Sequence, residues 1–125
     1  MEATELNAKV QDQLEKALVK ILAEITNDLY RKIIRAIVYK LMTDTYIFQF
    51  EENICMWKHV ATFRISGDIG LKTSVARYHL NQMEKKGLVR SLRSSNNILW
   101  SIENLEGFEH SKYKDYYELT FLKSE

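Results

Sequence analysis

Apolar residues recur at three- and four-residue steps from the start of the chain. Leu6, Val10, Leu14, Ala17, Leu18, Ile21, Leu22 and Ile25 share one face, with Glu, Lys, Asp and Gln between them. That period predicts an amphipathic helix over residues 3–26. Its apolar face must be covered, either by the same domain or by another copy of the chain. Thr26-Asn27-Asp28 interrupts or caps. A second helix follows over 28–43, with Leu29, Ile33, Ile34, Ile37, Val38 and Leu41 inward. Tyr46-Ile47-Phe48-Gln49-Phe50 is β-branched and aromatic and reads as a short strand. Trp57, Ala61, Ile65 and Ile69 lie four apart and predict a helix between 57 and 69, although residues 59–65 also fit an extended run.

The run KTSVARYHLNQMEKKGLVRSLRSSNNILWSI, residues 72–102, carries the clearest signals. Thr73 and Ser74 suit the N-terminus of a helix. Val75, His79, Leu80 and Met83 then form an apolar stripe at helical spacing. Lys85 and Lys86 put cations near the last carbonyls, and Gly87 is free to turn left-handed. Leu88 and Val89 begin an extended run, Ser94-Ser95-Asn96-Asn97 is turn chemistry, and Ile98, Trp100 and Ile102 alternate as in a half-buried strand. The reading is helix, glycine stop, β-hairpin. Glu103-Asn104-Leu105-Glu106-Gly107 is a loop. Tyr113, Tyr116, Tyr117, Leu119 and Phe121 follow at spacings that fit a helix or a strand equally.

Val75-Ala76-Arg77-Tyr78-His79-Leu80 and Met83-Glu84-Lys85-Lys86-Gly87-Leu88-Val89-Arg90 resemble the recognition helix and wing of winged helix-turn-helix DNA-binding proteins. Met83 stands where many small regulators of that superfamily have leucine. The match covers about a quarter of the chain and speaks to fold more than to target. The turn before the helix, Gly70-Leu71-Lys72, is about a residue shorter than the common form. The resemblance implies an α+β, mainly helical fold: a winged helix-turn-helix with an N-terminal extension helix. Residues 1–27 are the extension, 28–104 the winged-helix domain, and 105–125 an aromatic segment packing on the domain or on a dimer. The strand at 46–50 is expected to pair with the wing. A long helix ahead of such a domain often supplies a dimer contact, so a homodimer is expected.

Charge sharpens this picture. Net charge is only +1, but residues 1–55 sum to −2, residues 56–100 to +6 and residues 101–125 to −3. The positive charge sits on the segment that resembles a DNA-reading unit, where phosphate neutralisation dominates affinity. With Val75, Leu80 and Met83 inward, Lys72, Thr73, Ser74, Arg77, Tyr78 and Asn81 face solvent or a groove. Arginine pairs with guanine and asparagine with adenine in the major groove, while Lys, Thr, Ser and Tyr suit phosphates. Packing on the wing is an equal role for Tyr78. Arg90, Arg93, Asn96 and Asn97 are expected on or near the wing tip, where such proteins touch backbone or minor groove.

Other chemistry is weaker. Gly67-Asp68-Ile69-Gly70-Leu71-Lys72-Thr73-Ser74 looks superficially like a phosphate loop, but Leu71 stands where glycine must precede the lysine, and the spacing from Gly67 is one short. Cys55 and His59 are four apart and, with His79 and His110, can be drawn as a metal site, yet a strong zinc signature needs two close-spaced pairs. No nucleophile, base and acid constellation stands out, so neither enzyme activity nor a cofactor is expected. Cys55 is the single cysteine and cannot form an internal disulfide. No signal peptide and no apolar run of roughly 18 residues appears, so a cytoplasmic protein without a membrane span is expected. The expected function is sequence-specific binding of double-stranded DNA as a homodimeric transcriptional regulator. The rival is a winged-helix protein-interaction module without DNA binding. Basic residues of 56–100 gathered on one face would favour the first.

Overall fold

The computed structural model describes residues 3–43, 46–50, 53–57, 60–94, 97–113 and 116–121. Helices α1 (Ala3–Glu24) and α2 (Asp28–Thr43) come first. The break between them has a local cause at each end. Arg31 donates from its guanidinium to the carbonyl oxygens of Leu22, in the last turn of α1, and, at 2.9 Å, of Ile25 just beyond it. Asn27 Oδ1 accepts the N–H of Tyr30 at 3.0 Å, the pattern of an N-cap for α2.

Helix α2 is the central element. It buries Ile33, Ile34, Ala36, Ile37, Val38 and Leu41, a stripe wide enough to serve two sides. On one side it meets α1, where Val10, Leu14, Ala17 and Leu18 are buried. On the other it meets α3 (Thr62–Ile69) and strand β5 (Asn97–Ile102), whose Trp100 is fully buried. Of the stripe offered by residues 3–26, Val10, Leu14, Ala17, Leu18 and Ile25 are buried within one chain, and Ile21 and Leu22 are half-buried.

Strands β1 (Tyr46–Phe50), β2 (Asn53–Trp57), β3 (Val60–Ala61), β4 (Val89–Ser94), β5, β6 (Phe108–Tyr113) and β7 (Tyr116–Phe121) form two antiparallel sheets. One has the order β3-β5-β4 and the other β1-β2-β7-β6. The chain is an α+β protein, mainly helical.

Two expectations differ from the structure, and one open choice is resolved. The strand at 46–50 does not join the β4–β5 hairpin; it pairs with β2, Tyr46 opposite Trp57 and Phe50 opposite Asn53. Two residues separate β1 from β2, so this closure costs far less chain entropy than reaching a partner some forty residues on. Its expected place is taken by β3, where Val60 pairs with Trp100. The helix expected between 57 and 69 begins only at Thr62, after the two strands β2 and β3. The aromatic segment resolves as strand, because β6 and β7 pair with each other and β7 also pairs with β2.

Helix α4 (Thr73–Lys85) matches the predicted start, but its cap and register differ. Lys72 is the N-cap and makes no side-chain cap; the Thr73 hydroxyl instead lies 3.3 Å from the Ser66 hydroxyl. Ala76, Leu80 and Met83 are buried, whereas Val75 is 39% exposed. The inward row at four- and three-residue steps runs through the small alanine. At the far end Gly87 has φ +77, Leu88 N–H bonds Met83 O and Gly87 N–H bonds Glu84 O, both at 3.0 Å. This is the double closure that a left-handed glycine permits, as the sequence predicts. Gly107 (φ +88) serves a close approach: a Cβ there would run into the Gln13 side chain, which donates to Glu106 O at 2.7 Å.

Candidate nucleic-acid interface

Three elements converge: the start of α3, the first half of α4 and the Ser94–Asn97 end of the β4–β5 hairpin. Thr62 fixes this junction. Its hydroxyl accepts the Trp100 indole N–H at 2.8 Å and donates to Ile98 O at 3.2 Å, tying the first residue of α3 to β5. A cleft of about 210 Å³ lies between the elements, lined by Phe63, Thr73, Arg77 and Asn97 among others. Sequence reasoning had Thr73, Arg77 and Asn97 as site residues, and the fold brings these three together. It did not find Phe63, which is 61% exposed. The only signal was partial: Phe63 falls off the row Ile65 and Ile69, but so do Thr62 and Ser66, which are buried.

Along α4, Ser74, Arg77, Tyr78, Asn81 and Lys85 are all exposed, and Lys72 is exposed just before the helix. The helix contains one carboxylate, Glu84. It is drawn aside: Glu84 Oε2 accepts both the backbone N–H and the hydroxyl of Ser91, each at 2.7 Å. The outward face is therefore left polar and cationic. Tyr78 is 61% exposed, its ring edge-on to His79 at 5.3 Å.

The two hairpin arginines differ. Arg93 is exposed and lies opposite Ile98, one pair from the end of the ladder, where Ser94 faces Asn97. Arg90 lies at the base opposite Ser101, and its Nε is 3.5 Å from Glu103 Oε2. Arg90 is thus not a hairpin-tip residue, since strand register carries it to the base, away from the Ser94–Asn97 end. Asn96 lies outside the described residues. Of the other cations in this segment, Lys86 sits over the Tyr30 ring at 5.2 Å. Lys72, Arg77, Lys85 and Arg93 have no ion pair among the described residues.

Residues 67–69 belong to α3, so the glycine-containing segment there is helix rather than a loop wrapped for phosphate. Among the described residues no three of His, Cys, Asp and Glu converge on one point; His59 and the Cys55 side chain lie outside them. His110 Nε2 is 2.7 Å from Ile102 O. Burial lowers its pKa below the ordinary value of 6.5, against the opposing hydrogen bond to that carbonyl. The pKa of Lys20, an exposed side chain, is raised by its hydrogen bond to Glu106. Among the described residues no helix is long and apolar enough to cross a membrane. Comparison with protein-family models, curated proteins and solved structures finds no match to this chain.

Proposed function

We propose that this chain is a winged helix-turn-helix protein that binds duplex DNA sequence-specifically, with α4 as its recognition helix and the β4–β5 hairpin as its wing. The observation that carries the reading is the outward face of α4. It offers donors and cations over three turns while the one carboxylate of the helix is held by Ser91. In this reading Arg77 and Asn81 meet base edges, and Lys72, Thr73, Ser74, Tyr78, Lys85 and Arg93 meet phosphates or sugars. Three helices, a short strand and a hairpin around Trp100 supply the support that such a unit needs.

The chain acts as a transcriptional regulator in this proposal, two copies on an inverted repeat with recognition helices about 34 Å apart. With much of the α1 stripe buried, the surface best suited to hold the copies together is β1. It is an edge strand whose sequence, YIFQF, has no charge to discourage pairing, whereas the other edge, β6, carries Glu109 and Lys112.

The rival reading, a winged-helix module that binds protein instead, draws on the exposed Phe63, Val75 and Tyr78. Titration of the protein against random duplex DNA at two salt concentrations separates them. The DNA reading expects binding whose logarithm falls with the logarithm of salt by about 0.9 per phosphate contact. No binding at low salt, with the protein folded, would favour the rival.

A further inference from the structure

Phe63 is out of place for a purely electrostatic contact. It sits beside buried Thr62 at the start of α3, yet its ring is 61% exposed in the same cleft as Arg77, Thr73 and Asn97. A phosphate has nothing to offer this ring: it has no hydrogen-bond donor, and its face carries negative charge density. In the major groove the base edges present one apolar group, the C5 methyl of thymine. The neighbouring guanidinium of Arg77 has the forked donors that fit guanine O6 and N7.

We infer that Phe63 is a specificity-determining residue: its ring covers the methyl of a thymine adjacent to the guanine that Arg77 reads. This rests on the DNA-binding reading and adds to it a contact made from outside the recognition helix. It also gives the cleft a division of labour. The polar side, Arg77 with Thr73 and Asn97, holds the ring in register with one base step, and the apolar side then distinguishes thymine from cytosine by a single carbon.

The test starts from duplex sites selected by the intact protein from a random pool. Each thymine is replaced in turn by deoxyuridine, which removes the methyl and leaves the pairing intact. At one thymine per half-site the affinity should fall about fourfold, the value of one buried methyl-sized group. Phe63→Ala should bind the thymine and uracil sites equally, near the wild-type value for uracil, with an unchanged melting temperature because the ring is exposed. Phe63→Leu should restore part of the preference. If selected sites show no methyl-sensitive thymine, or if Phe63→Ala keeps the wild-type sensitivity, the inference is overturned while DNA binding stands. If no duplex is enriched at all, the DNA reading falls and takes the inference with it.

Discussion

Helices α1 and α4 carry the same kind of apolar stripe and use their outer faces differently. In α1 much of the stripe is covered by α2, and two of the three outward lysines are paired: Lys16 lies 3.0 Å from Asp12, and Lys20 lies 2.9 Å from Glu106. In α4 only Ala76, Leu80 and Met83 are covered. The outward face keeps cations without carboxylate partners among the described residues and two apolar side chains, Val75 and Tyr78, in water. Amphipathicity shows that a face will be buried but not against what. The distinguishing mark lies on the opposite face, where charges either pair off or stay available to a ligand.

The largest effect should come from α1, and it should be one of stability. Leu14→Ala removes a fully buried side chain and should cost about 2–5 kcal/mol in urea unfolding. Val19→Ala, on the same helix but 70% exposed, should stay within about 0.5 kcal/mol. If Leu14→Ala leaves stability intact and instead splits a dimer, the stripe is intermolecular and the comparison fails.

On α4 the order reverses. Arg77→Ala should leave stability within about 0.5 kcal/mol and weaken binding to a selected site by about 1–3 kcal/mol, with relaxed preference at one base pair. Unchanged affinity and unchanged preference would remove Arg77 from base reading. A smaller effect distinguishes the two arginines of the hairpin. Arg93→Ala should weaken binding to all sequences alike and reduce the salt dependence by about one phosphate contact. Arg90→Ala should leave the salt dependence alone, because Arg90 is already engaged by Glu103 at the base. Equal slopes for both variants would mean that distance from the turn does not matter, contrary to the register.

That register was the part of the molecule least legible beforehand. Local signals gave local structure well: α2 spans the predicted residues 28–43, α4 begins at Thr73, and Gly87 ends it. They failed wherever a partner had to be chosen. The composition of 46–50 says strand but not which strand it meets, and a two-residue connection settled that in favour of β2. Val75 reads as inward because it falls at helical spacing with His79 and Met83, yet the buried row is turned by one residue and runs through Ala76. The aromatic spacing of 113–121 was ambiguous until β6 and β2 were there to pair with. Of the site, the exposed row Lys72, Thr73, Ser74, Arg77, Tyr78, Asn81 was legible from helical period alone. Phe63 was not, because its helix had uncertain limits, and Arg90 was misplaced because its distance from the turn depends on pairing.

The smallest expected effect comes from His110, which bridges the start of β6 to the end of β5. It asks whether stability and binding are separable in this chain. The Nε2–H donates to Ile102 O at 2.7 Å, so the neutral ring already has its partner, and burial disfavours adding a proton at Nδ1. The folded-state pKa therefore lies below the ordinary 6.5 of the unfolded chain. As pH falls through 6.5 the unfolded chain takes up its proton first, and folding loses free energy. The contribution of neutral His110 is complete above 6.5, declines below it, and levels off once the folded state is protonated too. His110→Gln keeps a donor for the carbonyl and has nothing to titrate. Urea midpoints measured on either side of pH 6.5 should fall for the wild type at the acid end and fall less for His110→Gln. Base preference at the position read by Arg77 should be the same in both proteins at both pH values. A variant whose acid sensitivity equals the wild type would move the cause to another group. A variant with altered base preference would mean that the seam between the sheets and the face of α4 are coupled after all.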